Sequence, residues 1–389
     1  MPASAAEGPA HPVSAARAVG GPRPDVLVVG GGLIGLLIAR ELIHAGARVE
    51  VVDDRRDGAA SPNAAGMIAP IAESSTDIAF AKMALVSRDL WTELAPALEQ
   101  ESETAIDYDR SGAILPVLDE TGRKVLAGIR EQAEDLGEPT AELDRAELLR
   151  LVPDLRPGIE TALALPGEHR VDNRLAAEAA AAALRRQGVI LHRATIDSVI
   201  EETGGVSVTG AGFAVAAGAV VVCGGAWTPA IDGVPSLPIR PVKGQMIGFD
   251  RVDWPFSGAI RTPSFYAVRR AGGRLLIGAS VEHTGFNLSL SDEVGNGLAS
   301  GAADLLPALR DRRPVEHWAG FRPGTPDGWP LVGALTDRLY IATGHFRNGI
   351  LLAPLTARMI APMVLGQAPD STVPVPAAMQ PGRFHQPAR

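Results

Sequence analysis

Residues 25–54 read DVLVVGGGLIGLLIARELIHAGARVEVVDD, and this stretch decides the fold. DVLVV is a short apolar run of the kind that a buried parallel strand requires. Gly30-Gly31-Gly32-Leu33-Ile34-Gly35 follows and fits G-x-G-x-x-G. LIGLLIARELIHAG predicts a helix closed at Gly46, and ARVEVV a second strand ending at Asp53. In isolation the glycine pattern is weak. Here it leaves a strand, opens a helix and has an acid 23 residues after its first glycine, which is the context of a dinucleotide-binding turn. Gly30 permits the tight turn, Gly32 lets the backbone approach a pyrophosphate, and Gly35 lets helix and strand pack closely. The helix start offers free N–H groups and the positive end of a dipole to the phosphates. Asp53 can accept hydrogen bonds from a ribose diol. NAD, NADP and FAD remain open on these residues. A carboxylate at position 53 repels the 2′-phosphate of NADP, although Arg55 and Arg56 weaken that argument.

Working outward, the 389 residues allow roughly two to three domains. A hydrophobic content of 46% against 21% charged is that of a globular protein with a sizeable core. The net charge of −9 favours neither nucleic acid nor an anionic membrane surface as a partner. Cys223 is the one cysteine, which excludes an intrachain disulfide and a cysteine-based zinc site and fits a reducing, cytoplasmic compartment. No apolar run of about 18 residues predicts a membrane helix. The first 24 residues lack the apolar stretch of a signal peptide.

SPNAAGMIAP, residues 61–70, is expected to be a small-residue loop with no room for a regular helix at Pro62. Its Ala64, Ala65 and Gly66 would let a flat ring approach the backbone; a simple linker is the other reading. Residues 77–101 and the charge-rich 119–151 are expected to be helical scaffold. From Asp172 an alanine-rich helix, a strand and then FAVAAGAVVVCGGAWT resume the βαβ pattern. FYAVRRAGGRLLIGAS predicts a hairpin inside a strand-rich stretch over 236–318. The fold class is therefore α/β: a discontinuous Rossmann-type nucleotide-binding domain with an inserted α+β substrate domain built on a mixed or antiparallel sheet. The first domain is expected over 25–75, 152–235 and 319–366, and the second over 76–151 and 236–318. A disordered extension (1–24) and a loose Pro-rich tail (367–389) flank them.

GHFRNGILLAP, residues 344–354, has the form of a loop at a helix start. Such a place favours a negative partner. The loop is either a cap on a redox ring or a helix turn with a structural arginine. Arg322, in GFRPGTPDG, is either a buried structural ion pair or a bidentate carboxylate clamp. Tyr266 opens the hairpin and is either a core tyrosine or a phenol aimed at a substrate carboxylate. The eight histidines show no metal spacing, and neither a nucleophile elbow nor a phosphate-binding P-loop occurs.

VVGGGLIG, AAGM, CGGAW, PVKGQ, YAVRRAGGRLLIGAS, WAGFRPGTPDG and GHFRNGILLAP, in that order, resemble the D-amino-acid oxidase superfamily of flavoproteins. Within it they are most similar to the glycine oxidase family of thiamine thiazole synthesis. The resemblance spans about Asp25 to Gly366. It implies noncovalent FAD, hydride transfer from a small amino acid or amine to the flavin, and reoxidation by O2 to hydrogen peroxide. The imine would be hydrolysed or used for thiazole synthesis, a functional link to thiazole synthase. Carried over by position, Arg322 would clamp the substrate carboxylate, Tyr266 would support it, and Arg347 would lie at the flavin edge. Gly30, Gly32, Leu33, Ile34 and Gly35 form the phosphate turn, with Asp53 and Asp54 at the ribose. Ala60 and Ser61 flank the pyrophosphate. Ala65, Gly66 and Met67 line the flavin, and Ile196 meets the adenine. His345, Phe346, Arg347, Asn348, Gly349, Ile350 and Leu351 match the flavin cap. Val281 falls where a larger pocket residue can occur. A homo-oligomer is expected. The alternatives are a related FAD dehydrogenase with another acceptor, a non-catalytic FAD-binding relative, and an NAD-dependent dehydrogenase.

Overall fold

The computed structural model describes residues 23–74 and 77–384. Residues 1–22 of the expected extension lie outside them.

The apolar runs pair into a six-stranded sheet in the order β18–β19–β12–β1–β2–β8. These strands are Leu331–Ala334 (β18), Leu339–Thr343 (β19), Ala219–Val222 (β12), Val26–Val29 (β1), Val49–Val52 (β2) and Ile190–His192 (β8). All pairings are parallel except β18 with β19. Alternation divides each strand between two cores. Val26, Val28, Val49 and Val51 face helices α1 (Leu33–His44), α3 (Ile78–Ser102), α6 (Asn173–Arg186) and α8 (Gly349–Val364). Leu27, Val29, Val52 and Val220 face a three-stranded sheet of β9 (Ile196–Glu202), β10 (Gly205–Gly210) and β11 (Phe213–Ala217). Burial on both faces explains why these strands are continuously apolar.

Helix α8 carries Pro354 in its second turn. Proline has no N–H, so the carbonyl of Ile350 loses its helical donor. The indole of Trp91, on α3 and fully buried, donates to that carbonyl at 3.0 Å. The hydroxyl of Ser87 donates to the Leu351 carbonyl at 2.6 Å. Two α3 side chains thus fix the start of α8.

The second sheet has eight strands in the order β17–β13–β16–β15–β14–β4–β6–β5. They are Glu316–Gly324 (β17), Arg240–Arg251 (β13), Arg274–Gly278 (β16), Tyr266–Arg269 (β15), Ala259–Arg261 (β14), Ala113–Pro116 (β4), Thr161–Leu165 (β6) and Ala141–Asp144 (β5). The hairpin expected over 265–280 is β15 with β16. Helices α5 (Arg145–Leu151) and α7 (Asp292–Leu305) cover one face. A two-stranded pair, β3 (Met67–Ile68) with β7 (His169–Arg170), joins the two halves.

Several expectations need correction. Strands β17 and β6 belong to the second sheet, although 319–366 and 152–235 were assigned to the nucleotide domain; β17 pairs with β13 along its whole length. Helix α3 packs into the nucleotide-domain core through Phe80, Ala84, Trp91 and Leu98, although 76–151 was assigned to the substrate domain. Its stripe shows a helix but not its partner. The stretch 119–151 breaks into α4 (Glu120–Asp135), β5 and α5. Pro62 stands inside a single helical turn, α2 (Ala60–Asn63), because the first turn of a helix needs no N–H from proline. The described part of the tail, 367–384, is not loose: Met379 is fully buried against the main core, and Arg383 pairs with Asp327 at 2.8 Å and donates to the Trp329 carbonyl at 2.7 Å, while 385–389 lie outside the described residues. Met379→Ala is accordingly expected to destabilise the protein by about 2–5 kcal/mol in urea unfolding. An undocked tail would give no change. Among the described residues no helix is long and apolar enough to cross a membrane.

Candidate active site

The edges of both sheets frame a cavity of about 300 Å³. At one end lies the glycine turn. Gly30 has φ +112°, and a Cβ there would stand 2.3 Å from the Cys223 carbonyl oxygen, so β1 and β12 approach too closely for a side chain. A Cβ on Gly35 would stand 2.0 Å from the Gly30 carbonyl. Gly30, Gly32 and Ile34 line the cavity. Leu33 and Gly35 stand behind the wall: the Leu33 side chain is fully buried, while its N–H donates to Ser61 Oγ at 2.9 Å. The N-cap residue Gly32 offers no capping side chain and the first turn of α1 holds no acid, so beyond the Leu33 N–H the helix start is open to an anion.

Asp53 and Asp54 both face the cavity. Asp53 accepts the Gly31 N–H at 2.6 Å and the Arg55 N–H at 2.7 Å, which fixes the carboxylate beside the turn. Asp54 is paired with Arg56 and accepts from Thr195 at 3.2 Å. Ala60, Ser61, Ala65, Gly66, Met67 and Ile196 line the same cavity. Gly66 has φ +71°. Arg270 clamps this loop, donating to the carbonyls of Ala65 at 2.7 Å and Val171 at 2.6 Å. Burial pulls its pKa down to about 10. Asn173 joins the same clamp, donating to the Ser61 carbonyl at 2.6 Å. Neither clamp residue was picked out from sequence; the double arginine of AVRRAGG was its only trace.

Strand β19 runs through Phe346–Asn348 into α8. His345, Phe346, Arg347, Gly349 and Ile350 line the cavity, whereas Asn348 and Leu351 do not; Leu351 is buried in the helical core. His345 Nε2 meets Thr356 Oγ1 at 2.9 Å, and its Nδ1 is buried without a partner. Burial pushes the imidazole pKa down to about 3, so the ring is neutral. Helix α8 also starts without a capping side chain or a first-turn acid. An orphaned ring nitrogen and an uncapped helix start fit a large polar ring system.

The second sheet supplies the floor. Residues directly opposite across a ladder share a face. The registers align Arg261, Tyr266, Gly278, Met246 and Trp318 in one row across five strands. One rung along lie Gly244 and Gly320, and beyond them Val242 and Arg322. Glycines give the floor its room: a Cβ on Gly278 would stand 2.7 Å from the Tyr266 hydroxyl, and one on Gly244 2.3 Å from Arg322 Nη1. Arg322 and Tyr266 therefore lie over bare backbone. Arg322 donates to the Ser280 carbonyl at 3.1 Å and makes no ion pair with any described residue. Burial lowers its pKa from the usual guanidinium value. Arg347 is instead paired with Glu73 at 2.9 Å, and Arg261 pairs with the same carboxylate. Sequence reading picked out neither Glu73 nor Arg261. Val281 is exposed, outside the cavity. Cys223 is half-buried in the wall, and desolvation pushes its thiol pKa up and keeps it protonated.

A dinucleotide-type turn, an uncapped second helix start and an unpaired guanidinium over a sheet floor, brought to one cavity, are features of a nucleotide-dependent enzyme. The family model described as FAD dependent oxidoreductase matches residues 25–363, and the chain belongs to that family. Glycine oxidase of Pseudomonas aeruginosa is 35% identical over 356 residues, covering 88% of this chain and 95% of that one. The bifunctional protein ThiO/ThiG of Nostoc sp. is 34% identical over 356 residues, covering 89% of this chain and 53% of that longer one. The crystal structure of glycine oxidase from Geobacillus kaustophilus matches with a TM-score of 0.87 at 30% identity, covering 94% of this chain and all of that one. The protein is an FAD-dependent amine oxidoreductase.

Proposed function

We propose that the protein oxidises glycine and similarly small amino acids and amines, sarcosine and D-alanine among them, with O2 as the final acceptor. The observation that carries this reading is Arg322: a buried guanidinium on the cavity floor with no protein counter-ion, beside Tyr266. A carboxylate completes it. FAD, when bound, supplies a two-electron acceptor that takes a hydride and passes the electrons to O2. In this reading the glycine turn, Asp53, Asp54, the Ala60–Met67 segment and Ile196 hold the dinucleotide, and the His345–Ile350 wall holds the ring. Noncovalent binding belongs to the same reading: Cys223, the one cysteine, is half-buried in the cavity wall, and desolvation pushes its thiol pKa up.

Arg322 and Tyr266 then orient the substrate by its carboxylate, which presents the Cα–H bond to the ring. Orientation is the larger part of what these residues contribute. In this reading the amine enters in its neutral form and no protein base acts; Glu73, the carboxylate lining this end, is held by two arginines. The balance is glycine + O2 + H2O → glyoxylate + NH3 + H2O2, the imine being hydrolysed off the protein. The ThiO/ThiG relative supports a functional link to thiazole synthase, with the imine as the shared product. Assembly into a homo-oligomer belongs to the same reading.

The test is peroxide release by the purified holoprotein with glycine, sarcosine, D-alanine and D-proline, alongside its visible spectrum. A flavin spectrum with peroxide from glycine is expected. Anaerobic bleaching without peroxide in air would replace O2 by another acceptor. No response to any amine would end the reading.

A further inference from the structure

We infer that Glu168, which does not line the cavity, is a positioning residue for the reaction: it caps the turn that carries Glu73, and through Glu73 it sets Arg347 at the cavity wall. The inference rests on the reading of the His345–Ile350 wall as the one that holds the ring. It starts from unpaired donors. After β3 the chain makes one turn, 70–73, which begins at Pro70, a residue without an N–H. The Glu73 N–H closes that turn on the Ala69 carbonyl at 3.2 Å. The N–H groups of Ile71 and Ala72 find no backbone acceptor, as at any helical start. Glu168 Oε1 accepts both, at 2.9 and 3.1 Å, from 97 and 96 positions away. Register delivers it there. Ile68 lies opposite His169 across β3 and β7, so the chain leaving β3 runs beside Glu168.

Glu73 follows directly on the two capped residues. Its carboxylate accepts from Arg347 Nε at 2.9 Å and Nη2 at 3.0 Å, and it pairs with Arg261 as well. Arg347 lines the cavity just before α8 begins. A shift of the turn therefore moves a positive charge at the wall, and charge beside a flavin tunes its electronics.

The cap is also titratable. Glu168 is 2% exposed, and its Oε2 is buried without a hydrogen-bond partner. Burial pushes its carboxyl pKa up to about 7, against the two N–H groups, which favour the anion. Two charged side chains act on it: Arg88, from α3, favours the anion, and Glu138, beyond α4, opposes it. Those two are paired with each other; Arg88 also pairs with Asp89 and donates to the Gly167 carbonyl at 3.1 Å. The adjacent His169 meets the Tyr108 hydroxyl at 2.8 Å. Burial pushes its pKa down to about 4, so the ring stays neutral where Glu168 titrates. A carboxylate holds two N–H groups more strongly than a carboxylic acid does. The turn is therefore tightened as pH rises through about 7 and slackened below it.

The experiment follows the visible flavin spectrum of the holoprotein, without substrate, from about pH 5.5 to about 8.5. It compares the unaltered protein with Glu168→Gln, Glu73→Gln and the double variant. A one-proton transition near pH 7 is expected in the unaltered protein. Glu168→Gln keeps an acceptor for the two N–H groups but cannot ionise, so it should show no transition and should match the unaltered protein at the acid end. Glu73→Gln should lose the transition too, because Glu168 reaches the ring through Glu73; that variant decides the matter if Glu168→Gln does not fold. With glycine, Glu168→Gln is expected to lower kcat/KM at least about fivefold, and to add nothing in the Glu73→Gln background. An unaltered protein without a transition, a transition that survives either substitution, or equal effects of Glu168→Gln in the two backgrounds would overturn the inference. Glycine left unoxidised would end the substrate reading alone, since the spectral comparison uses no substrate.

Discussion

Arg322→Ala is expected to lower kcat/KM for glycine by roughly 30- to 4,000-fold while leaving the thermal midpoint unchanged or raised. Truncating one partner of a buried charge pair costs about 2–5 kcal/mol, and each 1.4 kcal/mol is tenfold. The two halves of the expectation have one cause. Without substrate, Arg322 has carbonyl partners but no counter-ion. Its burial is then a cost to the folded protein rather than a gain, so removing it sacrifices binding and not stability. A structural ion pair would behave in the opposite way, losing several degrees of melting temperature. Steady-state kinetics with glycine, an amine lacking the carboxylate as control, and a melting curve decide the matter. Unchanged KM and kcat for glycine would remove Arg322 from the site.

Gly30→Ala should yield protein that purifies with little or no FAD. A left-handed conformation costs an alanine about 1–2 kcal/mol, and overpacking adds about 1–3 kcal/mol. The second term is the decisive one here, because the new methyl group would stand 2.3 Å from the Cys223 carbonyl oxygen, in backbone that neither β1 nor β12 can yield. The turn must open, and the phosphate-binding backbone moves with it. Gly46→Ala is the matched control. Its φ is +87°, and nothing lies within 4 Å of the added atom. That variant should lose the conformational part alone and keep its flavin. The ratio of flavin to protein absorbance reads both. Equal FAD content in the two variants would mean that the turn does not position the cofactor.

How much of this was legible in sequence depends on how local each feature is. The glycine turn, the paired strands around it and the 265–280 hairpin follow from residue order alone, since periodicity and turn chemistry act over a few neighbours. Arg322 and Tyr266 stood out as residue types in unusual settings, and the registers bring both to one floor. Glu73 and Arg261 gave no such signal. They are 188 positions apart, and only the ladder that carries Arg261 to the edge of Tyr266 makes them neighbours. The allotment of elements to sheets failed for the same reason. A stripe on α3 or an apolar run in β17 says that something will be covered, not by what. The tail misled differently: its prolines suggested looseness, and one buried methionine outweighed them.

The strand order of the first sheet also has a meaning in time. Its centre pairs β1, made near the beginning, with β12, and β19 is added beside β12 only near the end. A growing chain tends to fold from its N-terminal side as it emerges from the ribosome. The phosphate turn can thus form early, yet the wall from His345 to Ile350 is among the last parts to be translated. A chain released before α8 would have the glycine turn but not the opposite wall of the cavity. On the proposed reading, a chain truncated before α8 is therefore expected to purify with little flavin.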